Sequence, residues 1–214
     1  MTSKEWRILL LERSERAGVR VSDGANEELG RYFELIAKWN ATINLTALPL
    51  EPPTADTVDR LFIEPLAAAR HFPRSPLVWF DVGSGGGSPA IPLKILYPEA
   101  SLTMVEAKAR KAAFLREAVR LLALSQALVE NARFEVTAEA HPASAELITS
   151  RAVKLDEVFA SSVCRLLSPK GQLLVFRSTS RVHLIEGMTH QETIELLPNG
   201  RSFLSIYAKG DSNR

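Results

Sequence analysis

The sequence holds a single cysteine, Cys164, so no disulfide can form within the chain, and that usage fits a reducing compartment. Cys164 falls in an apolar helical run with Val158, Phe159, Val163, Leu166 and Leu167, which reads as a buried structural thiol rather than a nucleophile. Long hydrophobic runs are missing. The stretch Ile8–Leu11 is bounded by Arg7, Glu12 and Arg13, too short for a signal peptide or a membrane span. A cytoplasmic chain without membrane contact is therefore expected. Two matches to the glycosylation pattern, at Asn40 and Asn44, are read as chance without a secretion signal. Histidine is sparse: His71, His141, His183 and His190 are scattered, none at metal-ligand spacing from a cysteine or carboxylate, so no metal is expected. Nor does charge of one sign dominate. Lys and Arg number 26 against 25 Asp and Glu, a formal net charge of +1. A nucleic-acid partner would have to be met by a local patch, not by an overall field. Repeats and low-complexity segments are absent.

What is present is an ordinary globular composition, 46% hydrophobic and 24% charged over 214 residues, enough to bury a sizeable core. The first seventy residues read as helical. Trp6, Leu9, Leu10 and Arg13 share one amphipathic segment, and Asp23 is read as the cap of a second whose stripe is Leu29, Phe33, Ile36, Ala37 and Trp39–Asn40. Three prolines in LPLEPPT (Leu48–Thr54) interrupt the pattern, and a third helix is expected over Ala55–His71. Trp6 and Trp39 are read as core. The stretch PRSP (Pro73–Pro76) marks a boundary, giving a helical extension over 1–73 packed on a core domain over 74–214.

Beyond it, strand-like and helix-like runs alternate. Leu77–Val82, Ser101–Glu106, Ala127–Val129, Glu146–Ser150 and Gly171–Phe176 read as strands. Pro89–Tyr97, Lys108–Ala123 and Leu155–Leu167 read as helices. The tail carries Thr193–Leu197 and Phe203–Ala208 about Pro198-Asn199-Gly200, a hairpin signal. The pattern predicts an α/β fold, a mostly parallel sheet covered on both faces with an antiparallel C-terminal edge.

In such sheets ligands sit beyond the carboxyl ends of the strands. There the chain reads FDVGSGGGSP (Phe80–Pro89). A P-loop is excluded, because no lysine follows these glycines until Lys94. A dinucleotide motif fits Gly83, Ser84 and Gly85 but ends on Ser88, and Asp81 would face a pyrophosphate. S-adenosylmethionine has no phosphate; it carries an ammonium and a sulfonium, and its carboxylate can take backbone N–H groups. Asp81 followed by Gly83, Gly85 and Gly87 suits it. Glu106 ends SLTMVE roughly 20 residues after the last glycine, the spacing of a ribose-binding acid. Against this stands a ligand-free glycine turn, which costs chain entropy without packing benefit.

With the glycines placed, a longer match emerges. KWNATINLTAL (Lys38–Leu48), DVGSGGGSPAIPL (Asp81–Leu93), the strand ending at Glu106 with KARKAAFLREAV behind it, and TSRA (Thr149–Ala152) resemble the bacterial small-subunit ribosomal RNA guanine-N7 methyltransferases, also called glucose-inhibited division protein B. The resemblance implies a class I, Rossmann-like methyltransferase sheet of seven strands and methyl transfer from S-adenosylmethionine to a guanine N7 of 16S RNA. By position it puts Gly83 and Ser88 at the cofactor turn, Glu106 at the ribose, Phe134 and Glu135 in the loop near the adenine, and Arg151 after the fourth strand. The chain departs from the family at Ser88 and Ala90, in the segment Arg60–Pro65, where a histidine is missing, and at Arg177-Ser178.

The expected cofactor site is therefore Asp81, Gly83, Ser84, Gly85, Ser88, Glu106, Phe134 and Glu135, with Arg151 as the catalytic candidate, either bonded to guanine O6 or a phosphate, or closing the sheet edge through a salt bridge. Asp81 could instead merely cap the turn. Arg177 and Arg181, after a strand, and Lys108 and Arg110, on a basic helix, are the RNA candidates; the basic helix is equally read as a solvated face. The expected partner of a monomeric chain is 16S rRNA or the small ribosomal subunit. Competing readings are a methyltransferase acting on a small molecule and a silent cofactor- or RNA-binding module.

Overall fold

The computed structural model describes residues 3–73 and 77–210, so most of the expected boundary at Pro73–Pro76 lies outside the described residues. Seven strands form one sheet in the order β3-β2-β1-β4-β5-β7-β6. β1 (Val78–Val82), β2 (Ser101–Val105), β3 (Ala127–Glu130), β4 (Ala145–Arg151) and β5 (Leu167–Arg177) are parallel, while β7 (Phe203–Lys209) runs antiparallel to both β5 and β6 (Met188–Glu195).

Strand residues alternate between two cores, as a period of two requires. Trp79, Leu102, Met104, Leu147, Leu174, Phe176, Leu204 and Ile206 face one side. There they meet α1 (Ser3–Arg16), α2 (Asp23–Asn40), α5 (Ala90–Leu96) and α6 (Ala109–Leu121). Phe80, Val82, Val105, Ile148, Leu173, Val175 and Tyr207 face the other, against α7 (Phe134–Ala140) and α8 (Glu157–Leu166). Both faces are apolar because both are covered. The N-terminal helices thus share a core with the sheet. Trp6 stacks on Phe33 with ring centroids 4.3 Å apart, and Trp39 meets Phe114 edge-on. Ser22, not Asp23 as expected, caps α2 by accepting from the Ala25 N–H at 3.2 Å, and Asp23 is the first residue of the helix.

Three further expectations are corrected. The helix over Ala55–His71 is not uniform: α3 (Ala55–Val58) passes into a π-helical turn over Asp59–Ile63, then α4 (Glu64–Ala68) and a 3₁₀ turn over Ala69–His71. The widened turn sets Arg60 and Glu64 beside the strand ends. The C-terminal hairpin is present, but its first arm, read as running to Leu197, ends at Glu195. Pairing stops at Glu195↔Phe203, and the loop between buries Leu196 and Leu197. Cys164 is half-buried, its thiol against Gly187 and pushed up by burial. Among the described residues no helix is long and apolar enough to cross a membrane, and no group of three or more His, Cys, Asp or Glu side chains is placed to hold a metal ion.

Candidate active site

The carboxyl ends of β1, β2, β4 and β5 open into one cleft made of three adjoining cavities. The largest, about 640 Å³, lies over the glycine turn. A second, about 350 Å³, lies on the β2–α7 side and shares Gly83, Glu106 and Val153 with the first. A third, about 330 Å³, lies at the ends of β4 and β5 and shares Arg60, Arg151, Ala152 and Val153 with it.

The turn is braced from within. Gly83 and Ser84 both donate from their backbone N–H to Val105 O, at 3.0 and 3.1 Å, and Gly87 N donates to Ser84 O at 2.7 Å. Gly85 N donates to Glu106 Oε2 at 2.9 Å. These four N–H groups are engaged inside the protein, so the turn is not the open row of donors that its glycines suggested. Close approach explains the glycines better. Gly83 has φ +72°, and a Cβ there would lie 2.5 Å from Val153 Cγ2. At Gly87, φ +88°, it would lie 2.9 Å from the Tyr32 hydroxyl.

Asp81 also differs from expectation. It is 1% exposed, lies behind the turn and lines none of the three cavities. Its Oδ1 accepts from Thr149 Oγ1 at 2.6 Å, and the same hydroxyl oxygen accepts from Trp79 Nε1 at 2.8 Å. That chain of hydrogen bonds keeps Trp79 in the core. Oδ2 has no partner. Burial, only partly offset by the Thr149 bond, pushes the Asp81 carboxyl up to about 6. Ser84 directs its hydroxyl back to the Asp81 carbonyl, and Ser88 directs its own to Leu61 O at 2.8 Å. Both line the main cavity with Gly83 and Gly85.

Glu106 stands where the main and second cavities meet. Its Oε1 accepts from Lys108 N at 2.8 Å and its Oε2 from Gly85 N, leaving further lone pairs on both oxygens. Phe134 and Glu135, expected in a loop, line the second cavity from the first turn of α7.

Arg151 divides the main cavity from the third. It is largely buried, and its guanidinium lies 4.9 Å from the Phe176 ring centroid. Nη1 donates to Arg60 O, and Nη2 lies 3.0 Å from Glu64 Oε2, near enough for an ion pair but off hydrogen-bond alignment. Burial disfavours the charged form of both partners, lowering Arg151 and raising Glu64, and their attraction offsets part of this. Glu64 Oε1 accepts from Ser202 Oγ at 2.6 Å. The salt bridge and the place in the cleft thus coexist, where the sequence set them as alternatives. Arg177 lines the third cavity, and Lys108 lines the first together with Lys111. Arg110 and Arg181 are exposed and line none of the three.

Several cleft residues were not named as site residues from sequence. Leu45, Thr46, Ala47 and Leu48 wall the main cavity. Asn40 Oδ1 holds that segment by accepting from Leu45 N and Thr46 N, at 2.8 and 3.0 Å. The motif KWNATINLT had pointed to this stretch without showing its purpose. Arg60 and Glu64 had been noted only within the segment that departs from the family, and Lys111 only as part of the basic helix; Val153 gave no local signal, and the fold brings all four to the cleft.

The family model described as rRNA small subunit methyltransferase G matches residues 25–204. Among curated relatives, the ribosomal RNA small subunit methyltransferase G of a Geobacter species is 33% identical over 84% of this chain and 81% of its own length. That of Xanthomonas campestris pv. campestris is 36% identical over 79% and 73%. In fold, a crystal structure of a SAM dependent methyltransferase from Aquifex aeolicus superposes with a TM-score of 0.53 at 13% identity, covering 70% of this chain and 90% of that one. Fold, cleft and sequence converge, and the chain belongs to the rRNA small subunit methyltransferase G family.

Proposed function

We propose that this chain transfers a methyl group from S-adenosylmethionine to N7 of a guanine in 16S RNA of the small ribosomal subunit. Family membership combined with the three-part cleft carries the reading. The chemistry of the residues fits the cofactor. A carboxylate with spare lone pairs stands between two cavities, as a ribose needs, and an apolar cavity beside Phe134 suits a purine. The close-packed turn Gly83–Ser88 would flank the amino-acid end. Asp81, behind the turn, would act through Thr149 and through its negative charge rather than by touching the cofactor.

S-adenosylmethionine, when bound, supplies an electrophilic methyl group on a positively charged sulfur. Guanine N7 already carries a lone pair, so its methylation removes no proton and requires no general base. The side chains of the cleft then have two tasks, aligning the two partners and excluding water. Alignment of that kind supplies on the order of 7–11 kcal/mol in favourable cases. Arg151, at the border between cofactor and acceptor cavities, would fix the base, and Lys108 and Arg177 would meet RNA from the cleft walls. Arg110 and Arg181, exposed nearby in sequence to those two, would contact phosphates outside the cleft.

The deciding experiment incubates the protein with methyl-labelled S-adenosylmethionine and small ribosomal subunits from cells lacking this modification, then analyses the digested RNA by mass spectrometry. Labelled 7-methylguanosine is expected. Intact cofactor binding without any labelled RNA would overturn the reading.

A further inference from the structure

The third cavity, at the ends of β4 and β5, has a pattern of charge that the cofactor does not need. At about 330 Å³ it lies at the small end of the range for compact ligands, about 300–1,000 Å³. It opens on the main cavity across Arg151 and Val153. Its walls contain guanidinium nitrogens that are buried and, among the described residues, without a hydrogen-bond partner: Nε of Arg151, Nη1 of Arg177, and Nη2 of Arg151, whose contact with Glu64 is an ion pair off hydrogen-bond alignment. Such donors are rare in folded chains, because a desolvated and unpaired donor is unfavourable. These donors call for acceptors that the described residues do not supply.

The cavity also holds one carboxylate. Glu64 lies beside Arg151, Oε2 3.0 Å from Nη2, and its orientation is fixed by the bond from Ser202. Donor and acceptor groups therefore stand side by side. A guanine edge has the complementary order, the acceptor O6 followed by the donors N1–H and the 2-amino group. Adenine reverses it, with a donor at C6 and a bare acceptor at N1. When N7 is turned toward the cofactor, the atom on C6 is fixed in place, and of guanine and adenine only guanine puts an acceptor there.

We infer that this cavity is the acceptor-base subsite and that it reads guanine by its edge: Arg151 and Arg177 donate to O6, and Glu64 accepts from N1–H and the 2-amino group. The inference rests on the guanine reading above and adds how the base is chosen. Arg177 and Glu64 are specificity-determining residues in it. A base flipped from its stack is read in this way, through its Watson–Crick edge inside a close-fitting pocket.

The test uses the full chain and small-subunit particles reconstituted with 16S RNA carrying guanine, inosine or 2-aminopurine at the methylated position. Inosine lacks the 2-amino group; 2-aminopurine lacks O6. The unaltered chain should lose about tenfold or more in kcat/KM on 2-aminopurine RNA. Glu64→Gln should lose about tenfold or more on guanine RNA and much less on inosine RNA, while its calorimetric affinity for S-adenosylmethionine stays within about twofold of the unaltered chain. Arg177→Gln should be impaired on guanine RNA and not further impaired on 2-aminopurine RNA. Equal penalties on all three RNAs, or cofactor affinity falling in step with transfer, would overturn the inference in favour of a structural role. Guanine methylation that is indifferent to the analogues sinks this inference alone. Failure of the unaltered chain to methylate any guanine sinks the proposed function and this inference with it.

Discussion

The Tyr32 hydroxyl donates a 2.5 Å hydrogen bond to the carbonyl oxygen of Gly86, so α2 grips the glycine turn directly. The phenol is fully buried, and burial raises its pKa well above the usual range for tyrosine, so it stays a neutral donor. Removing the hydroxyl by Tyr32→Phe leaves the half-buried Gly86 carbonyl without this donor, at a cost of about 0.5–1.5 kcal/mol. Lower stability in urea and a several-fold weaker affinity for S-adenosylmethionine are expected. A variant of unchanged affinity, read by calorimetry, would show that the turn keeps its shape without the clamp.

Gly83 offers a steric test. Alanine there must adopt φ +72° and place its Cβ against Val153. The backbone strain alone is of the order of 1–2 kcal/mol for a residue with a side chain. Gly83→Ala is expected to lose both stability and cofactor binding. Adding Val153→Ala should recover the contact part and leave the strain. A double variant no better than the single one refutes the part assigned to Val153.

Asp81 gives a pH signature. Its carboxyl titrates at about 6 in the folded chain, above the value near 4 of an unfolded aspartate. The folded state therefore favours the protonated form. The stability this group contributes is complete below about pH 4 and is lost as pH rises through about 6. Asp81→Asn should flatten that slope, gaining on the order of 2–3 kcal/mol on the unaltered chain between pH 4 and pH 7.5. Urea unfolding at the two pH values without cofactor checks this, and parallel slopes in the two proteins would refute it.

Glu106 bears on cofactor and turn together. Glu106→Gln presents an amide N–H₂ where Gly85 N or Lys108 N now finds an acceptor. The turn should loosen and affinity for S-adenosylmethionine fall about 10- to 100-fold, by analogy with other lost charge-assisted bonds. Isothermal titration decides it. Affinity within twofold of the parent would remove Glu106 from the cofactor site.

The sheet was legible because parallel strands buried on both faces leave plain apolar runs, as in Leu77–Val82 and Gly171–Phe176. Glu106 was legible because its place at a strand end and its distance from the glycines follow from βαβ geometry. What escaped depends on partners far along the chain. Asp81 was assigned a ligand from its neighbours, but Thr149, 68 positions away, already holds it. The first arm of the C-terminal hairpin was read as running to Leu197, yet β6 ends at Glu195, and Leu196 and Leu197 are buried in the loop that also sends Ser202 to Glu64. Phe134 opens a helix of only seven residues, whose periodicity is too brief to register.

The bond between Glu64 and Ser202 joins residues 138 positions apart, one from the early helices and one from the approach to the last strand. A ribosome makes the chain in order, N-terminus first. The glycine turn and Glu106 precede Ser202 along the chain, so the residue that steadies Glu64 is made after them. Until Ser202 has been made, Glu64 lacks the hydroxyl that fixes its carboxylate, so the ion pair with Arg151 takes its final geometry only after all five parallel strands have been synthesised.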